Sequence, residues 1–150
     1  MWGVEHGWAD RHLLVALATD QLIREERTEQ GAILLAGLRA TEMGDALRLA
    51  STLAADEPVL DDGEIRARWL YLVLRWVHEN RDTVPDPLGV AEALYADFGY
   101  PRGMETFVRF MPPTDGWDAG AHARDENEAR MIANWASWIA AREREVEAGA

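Results

Sequence analysis

Between Glu64 and Asn80 the chain offers apolar side chains on nearly every side of a helix: Trp69, Leu70, Tyr71, Leu72, Val73, Leu74, Trp76 and Val77. A helix that is hydrophobic all round is a buried one. A strand competes for so compact an apolar run, but the periodic stretch is too long and its flanks are helical. The run therefore predicts a buried central helix over about residues 64–80. The remaining elements must be able to cover it.

The other apolar positions recur at helical spacing. From Asp10 to about Arg27, the residues Leu13, Leu14, Leu17, Ala18, Gln21 and Leu22 follow i, i+3, i+4 and predict an amphipathic helix. Two shorter helices are expected at Glu29–Arg39 and Asp45–Ala55, separated at Gly44, with Pro58 closing the second. Asp61-Asp62-Gly63 supplies a turn and an acidic start for the central helix, which suits the positive end of the helix dipole.

Prolines punctuate the segment from Pro85 to Pro113. Asp86 is expected to cap a helix with Pro87 at its first position. Leu88, Ala91, Leu94, Tyr95 and Phe98 form its stripe, and Gly99 stops it in the left-handed conformation. Pro101 is expected to open a further short helix with Met104, Phe107, Val108 and Met111 on one face, ended by Pro112-Pro113. Thr114–Ala121 reads as the longest irregular connection. A final helix over about His122–Glu147 would turn Met131, Ile132, Trp135, Trp138 and Ile139 inward, with Glu126 and Arg130 at favourable i, i+4 spacing. No period-two run, internal repeat or low-complexity segment competes. The expectation is one all-α domain over residues 1–150, a bundle of about six to seven helices whose last few residues fray.

Composition bounds the chemistry. There is no Cys, so neither a disulfide scaffold nor a thiolate zinc site is possible. The opening MWGVEHGWADRH lacks the layout of a secretory signal, and no apolar run reaches the roughly 18 residues of a membrane helix. A cytoplasmic protein is the expectation. Formal net charge is -12, and every cation is Arg. Such a field repels nucleic acid and anionic lipid and speeds encounter with a basic partner, although acidic surfaces also simply keep proteins soluble.

Reaction centres are hard to find. His6 and His12 share the opening segment with Glu5 and Asp10, yet no HExxH, ExxH or close His pair occurs. Ser51 and Ser137 lie in no nucleophile elbow, and the scattered glycines form no phosphate-binding loop. No catalytic residue, metal or cofactor is assigned. Asp97 stands among Tyr95, Phe98 and Tyr100, a setting that would raise its pKa if it were desolvated; the competing reading turns it outward or pairs it with Arg102 or Arg109. Trp135 and Trp138 read as core. Trp117, between Asp115 and Asp118, reads either as an interface anchor for a basic partner or as a lid folded back on the core.

The stretch Asp86-Pro87-Leu88, Tyr95-Ala96-Asp97-Phe98, Tyr100-Pro101 and Phe107-Val108-Arg109-Phe110-Met111-Pro112, preceded by the Trp69–Arg81 helix, resembles an uncharacterised bacterial family, one of the domains of unknown function. Phe110 departs from the pattern, where an aromatic hydroxyl is common. The resemblance extends loosely to the opening WGVEHGWADRHLLVALA and to Glu126-Asn127-Glu128 before Trp135. Families of this kind recur beside polymorphic toxins, and the resemblance implies an immunity protein that neutralises a cognate toxin domain. It supplies no catalytic residues. The matching motif (Asp86, Pro87, Tyr95, Asp97, Phe98, Gly99, Pro101, Arg109) reads as architecture.

The leading expectation is a non-catalytic binding module that occludes a basic protein toxin, as a monomer or as a heterodimer with it, without nucleic acid or membrane partners. Asp61, Asp62, Asp115, Trp117 and Asp118 are the candidate contact residues. Two alternatives differ in class. A carboxylate/His hydrolase would gather His6, His12, Asp97 and His122 in one pocket, and a structural or regulatory subunit would form a stable homo-oligomer.

Overall fold

The computed structural model describes residues 2–55 and 59–148, with side chains to residue 145. The closure expected at Pro58 and the fraying of the last residues lie outside the described residues. The fold is all-α: seven α-helices and no strand occur among the described residues. The chain divides into two compact units, Met1–Asp61 and Asp62–Ala150.

In the N-terminal unit, α1 (Trp2–Glu5) is a single turn, followed by α2 (Arg11–Ile23), α3 (Gln30–Ala36) and α4 (Ala46–Ala54). Asp10 caps α2, its carboxylate accepting from the Leu13 N–H at 2.8 Å. Helices α2, α3 and α4 pack on one another. Their core is Ala18, Leu35, Ala46, Leu49 and Ala50, flanked by Leu14, Val15, Ala36, Leu38 and Leu53. Alanines at the contacts let helix backbones approach closely. At Gly31 a Cβ would stand 2.9 Å from the Leu53 side chain, so α3 and α4 meet there without room for a methyl group. This centres the buried face of α2 on Ala18 and turns the expected stripe: Leu13 and Leu17 are exposed.

The C-terminal unit holds α5 (Asp62–Glu79), α6 (Pro87–Asp97) and α7 (Arg124–Ala148). Helix α5 begins at Asp62, so Asp62 and Gly63 are already helical rather than a turn before the helix. It contacts both α6 and α7 and is the central element of this unit. Burial on all sides is corrected, however. Leu70, Leu74 and Val77 are buried, whereas Leu72 and Trp76 are 54% and 58% exposed. Among the described residues, the face carrying Leu70, Leu74 and Val77 meets the core.

Around that face gather Leu88, Ala91, Leu94 and Tyr95 of α6 and Trp135 and Ile139 of α7, all buried. Met104, Phe107 and Val108 join them from the segment between these helices. The Phe107 and Trp135 rings stack at 5.6 Å with planes 4° apart, and Trp138 meets Phe107 edge-on at 6.0 Å. Polar ties run beside the core. Tyr71 Oη donates to Glu143 Oε1 at 3.2 Å, and Asn134 Nδ2 donates to the Thr106 carbonyl at 2.9 Å.

The helix expected after Pro101 does not form. Among its residues only Glu105–Phe107 makes a turn of 3-10 helix, and Gly103 is left-handed at φ +89°. The left-handed Gly103 breaks the helical backbone, and Glu92 Oε1 accepts from the Arg109 N–H at 2.9 Å. A helix would need that N–H for the Glu105 carbonyl. Met104, Phe107 and Val108 still point inward, so the apolar pattern identified the burial and not the backbone.

Candidate interaction surface

The corner between α6 and the segment that follows is built from local chemistry. Asp86 Oδ1 accepts from the Gly89 N–H at 3.0 Å, which makes Asp86 the N-cap of α6, with Pro87 at its first position. At the other end the chain closes in a Schellman motif. The Tyr100 N–H donates to the Tyr95 carbonyl at 2.8 Å and the Gly99 N–H to the Ala96 carbonyl at 3.1 Å. Gly99 sits at φ +77° and Tyr100 at φ +61°. The apolar contact that accompanies this motif is Tyr95 against Tyr100, edge-on at 5.2 Å.

Arg109 locks the corner. Its Nε donates to Glu92 Oε1 at 2.8 Å, and its Nη2 donates to Glu92 Oε2 at 2.9 Å and to Asp86 Oδ2 at 3.0 Å. A fork facing a carboxylate is the strong geometry for a charged hydrogen bond. The hydrogen bonds from Arg109 hold both Glu92 and Asp86 below their ordinary carboxylate values, and they hold the guanidinium protonated. Pairing of Arg109 with Asp97 is therefore corrected: its partners are Glu92 and Asp86. Asp97 is exposed, and its carbonyl receives Arg66 Nη2 at 3.4 Å. Glu92 was not singled out from the sequence, although a carboxylate flanking the apolar stripe of α6 was the available signal.

The acidic loop before α7 is ordered by contacts to that helix. The Trp117 indole donates from Nε1 to Asn127 Oδ1 at 2.7 Å and stacks on His122 with ring centres 3.8 Å apart. The Arg130 guanidinium lies 5.1 Å from the Trp117 ring centre. Arg130 also pairs with Asp115, in place of the expected Glu126. That pairing, helped by the Trp117 N–H, holds Asp115 below its ordinary value. Glu126 instead accepts from the Ala123 N–H at 3.0 Å. Asp118 is exposed and accepts from the Gly120 N–H at 2.9 Å. Asn127 Nδ2 reaches the carbonyls of Ala119, His122 and Ala123 at 3.0, 3.3 and 3.0 Å. Asn127 thus secures both the loop and the start of α7. Asp61 and Asp62 are exposed where α5 begins.

The histidines occupy separate settings. His6 is exposed and stacks on Trp2 at 4.0 Å, and His12 and His122 are also exposed. His78 is half-buried with the Trp135 ring 5.3 Å away, and burial followed by the nearby Arg81 charge pushes its pKa below 6.5. Among the described residues no three His, Asp or Glu side chains form a group that could hold a metal ion. No helix is long and apolar enough to cross a membrane, among the described residues.

No curated protein and no solved structure matches this chain. The model of a family described as "Uncharacterized protein conserved in bacteria (DUF2247)" matches residues 1–143, and the chain belongs to that family.

Proposed function

We propose that this protein is a non-catalytic binding module whose acidic surface occludes a basic protein domain, as an immunity protein does with its toxin. The observation that carries this reading is the charge: 27 acids against 15 cations, a formal net charge of -12. Several arginines are also engaged by carboxylates of the chain itself. Arg24 pairs with Asp20, Arg48 with Asp45, Arg75 with Glu79 and Glu143, and Arg124 with Glu128. The surplus facing a partner is therefore negative, and complementary charge of this kind steers encounter and sets the on-rate.

Residence needs anchors as well as a field. The loop carrying Asp115, Trp117 and Asp118 suits this role because its hydrogen bonds to Asn127 and Arg130 fix it before binding. Less ordering entropy is then lost on association. On α5, the exposed Leu72 and Trp76 lie four residues apart and offer apolar side chains of the kind that dominate interface energies. Asp61 and Asp62 contribute to the field.

The test is co-expression with the protein encoded immediately upstream. The expected result is that the neighbour is toxic alone and harmless beside this chain, with a pull-down that weakens as salt rises. A neighbour that is not toxic, or that kills despite this chain, overturns the reading. Within a complex so identified, Trp76→Ala is expected mainly to speed release, and Asp118→Asn mainly to lower the association rate.

A further inference from the structure

The C-terminal unit contains a cavity of about 270 Å³ with a composition opposite to that of the surface. Leu70, Phe98, Pro101 and Trp138 give it apolar walls, and its charged lining residues are Arg66 and Arg142. Among the described residues no carboxylate lines it, although acids outnumber cations in the chain by 27 to 15. A larger groove of about 470 Å³ near Arg109 differs in this respect: Asp82, Asp86 and Glu128 line it together with its arginines.

Both guanidiniums of the smaller cavity rest against aromatic rings. Arg66 Cζ lies 5.8 Å from the Phe98 ring centre, and Arg142 Cζ lies 5.4 Å from that of Trp138. A guanidinium held over a ring by cation–π attraction keeps its N–H groups as donors. Arg142 commits Nη1 to Glu145 at 2.6 Å, and Arg66 places Nη2 3.4 Å from the Asp97 carbonyl. Each fork has five N–H groups, so donors remain on both residues for a further anion.

We propose that this cavity binds a small organic acid, a single carboxylate on an aromatic or branched apolar body. The two halves of that ligand follow from the two halves of the lining. A bare inorganic anion would leave the walls of Phe98, Leu70 and Trp138 against water. A neutral hydrophobe would cover the arginine edges without replacing their hydrogen bonds to water. The volume lies just below the lower end of the roughly 300–1,000 Å³ found for ligand sites, which limits the body to about one ring. The site goes beyond toxin neutralisation and does not depend on it.

Proton–nitrogen correlation spectra of the full chain test the site. The probes are phenylacetate, its neutral counterpart 2-phenylethanol, and inorganic phosphate. Phenylacetate is expected to shift the Trp138 indole and the Ala67 amide saturably, with 2-phenylethanol and phosphate each binding at least about tenfold more weakly. Arg66→Gln and Arg142→Gln are each expected to weaken phenylacetate about tenfold, and Arg124→Gln, in the other groove, to leave it unchanged. An unshifted indole resonance of the buried Trp135 checks that the variants keep the fold. Absence of saturable shifts at Trp138 and Ala67, equal binding of the alcohol or of phosphate, or binding that survives both substitutions overturns the proposal. The comparison among the three probes on the unaltered chain decides even if a variant fails to fold.

Discussion

Gly89 stands at a point where three groups compete for one volume. A Cβ built there would lie 2.7 Å from the Asp86 Cγ and 3.1 Å from Arg109 Nη2. Alanine is the better helix former, by up to about 1 kcal/mol in a helix interior, but here it must displace the cap or the guanidinium. Gly89→Ala is therefore expected to lower the urea midpoint despite its higher helix propensity, with an unchanged slope. Glu92→Gln probes the same lock from the other side. It keeps the shape but presents an amide N–H₂ to a group that already consists of donors. The expected loss is about 1 kcal/mol in a urea titration, because Glu92 is half-buried and its bonds are charged. An unchanged midpoint in both variants would show that the corner is held by its apolar packing alone.

Helix ends were legible because their signals are local. Asp86 and Pro87 at the start of α6, and Gly99 beyond its end, follow from backbone geometry that a few neighbouring residues determine. The segment after Pro101 was not legible as backbone, since its helical spacing was genuine but Gly103 turns left-handed and Glu92 claims the Arg109 N–H. The same limit applies to Arg130. Its sequence neighbour Glu126 looked sufficient, and the partner that holds it, Asp115, comes from the preceding loop. Candidate contact residues were legible only as acids and an aromatic in a loop, not in how that loop is held. Two expectations follow for these elements. Gly99→Ala should destabilise by about 1 kcal/mol in thermal or urea unfolding, because φ of +77° strains any residue with a Cβ. Asn127→Ala should speed hydrogen exchange at Gly120 and Ala121 while the interior of α7 stays protected, since it removes the tie between loop and helix. Exchange accelerated along the whole of α7 would instead make Asn127 a support of the entire helix.

For the whole molecule, charge and burial push stability in opposite directions as pH falls. Protonation of surface carboxylates reduces the excess behind a net charge of -12 and relieves self-repulsion, which favours the compact state. His78 acts the other way. Burial beside Trp135, with the Arg81 charge nearby, holds its pKa below 6.5, so the folded chain resists a proton that the unfolded chain accepts. The unfolded state then binds more protons, and stability declines as pH drops below 6.5 until the folded-state value is passed. A second decline follows at lower pH, where Glu92, Asp86 and Asp115 lose the arginine bonds that depress them below 4.5, 3.8 and 3.8. The two contributions separate by substitution, because His78→Gln removes the first decline and leaves the second. Urea midpoints measured across this range for both chains should therefore diverge as pH falls below 6.5 and run parallel above it. Parallel curves throughout would mean that His78 takes up its proton in the folded protein as readily as in the unfolded one, and that the acid limit of this fold is set by its carboxylates.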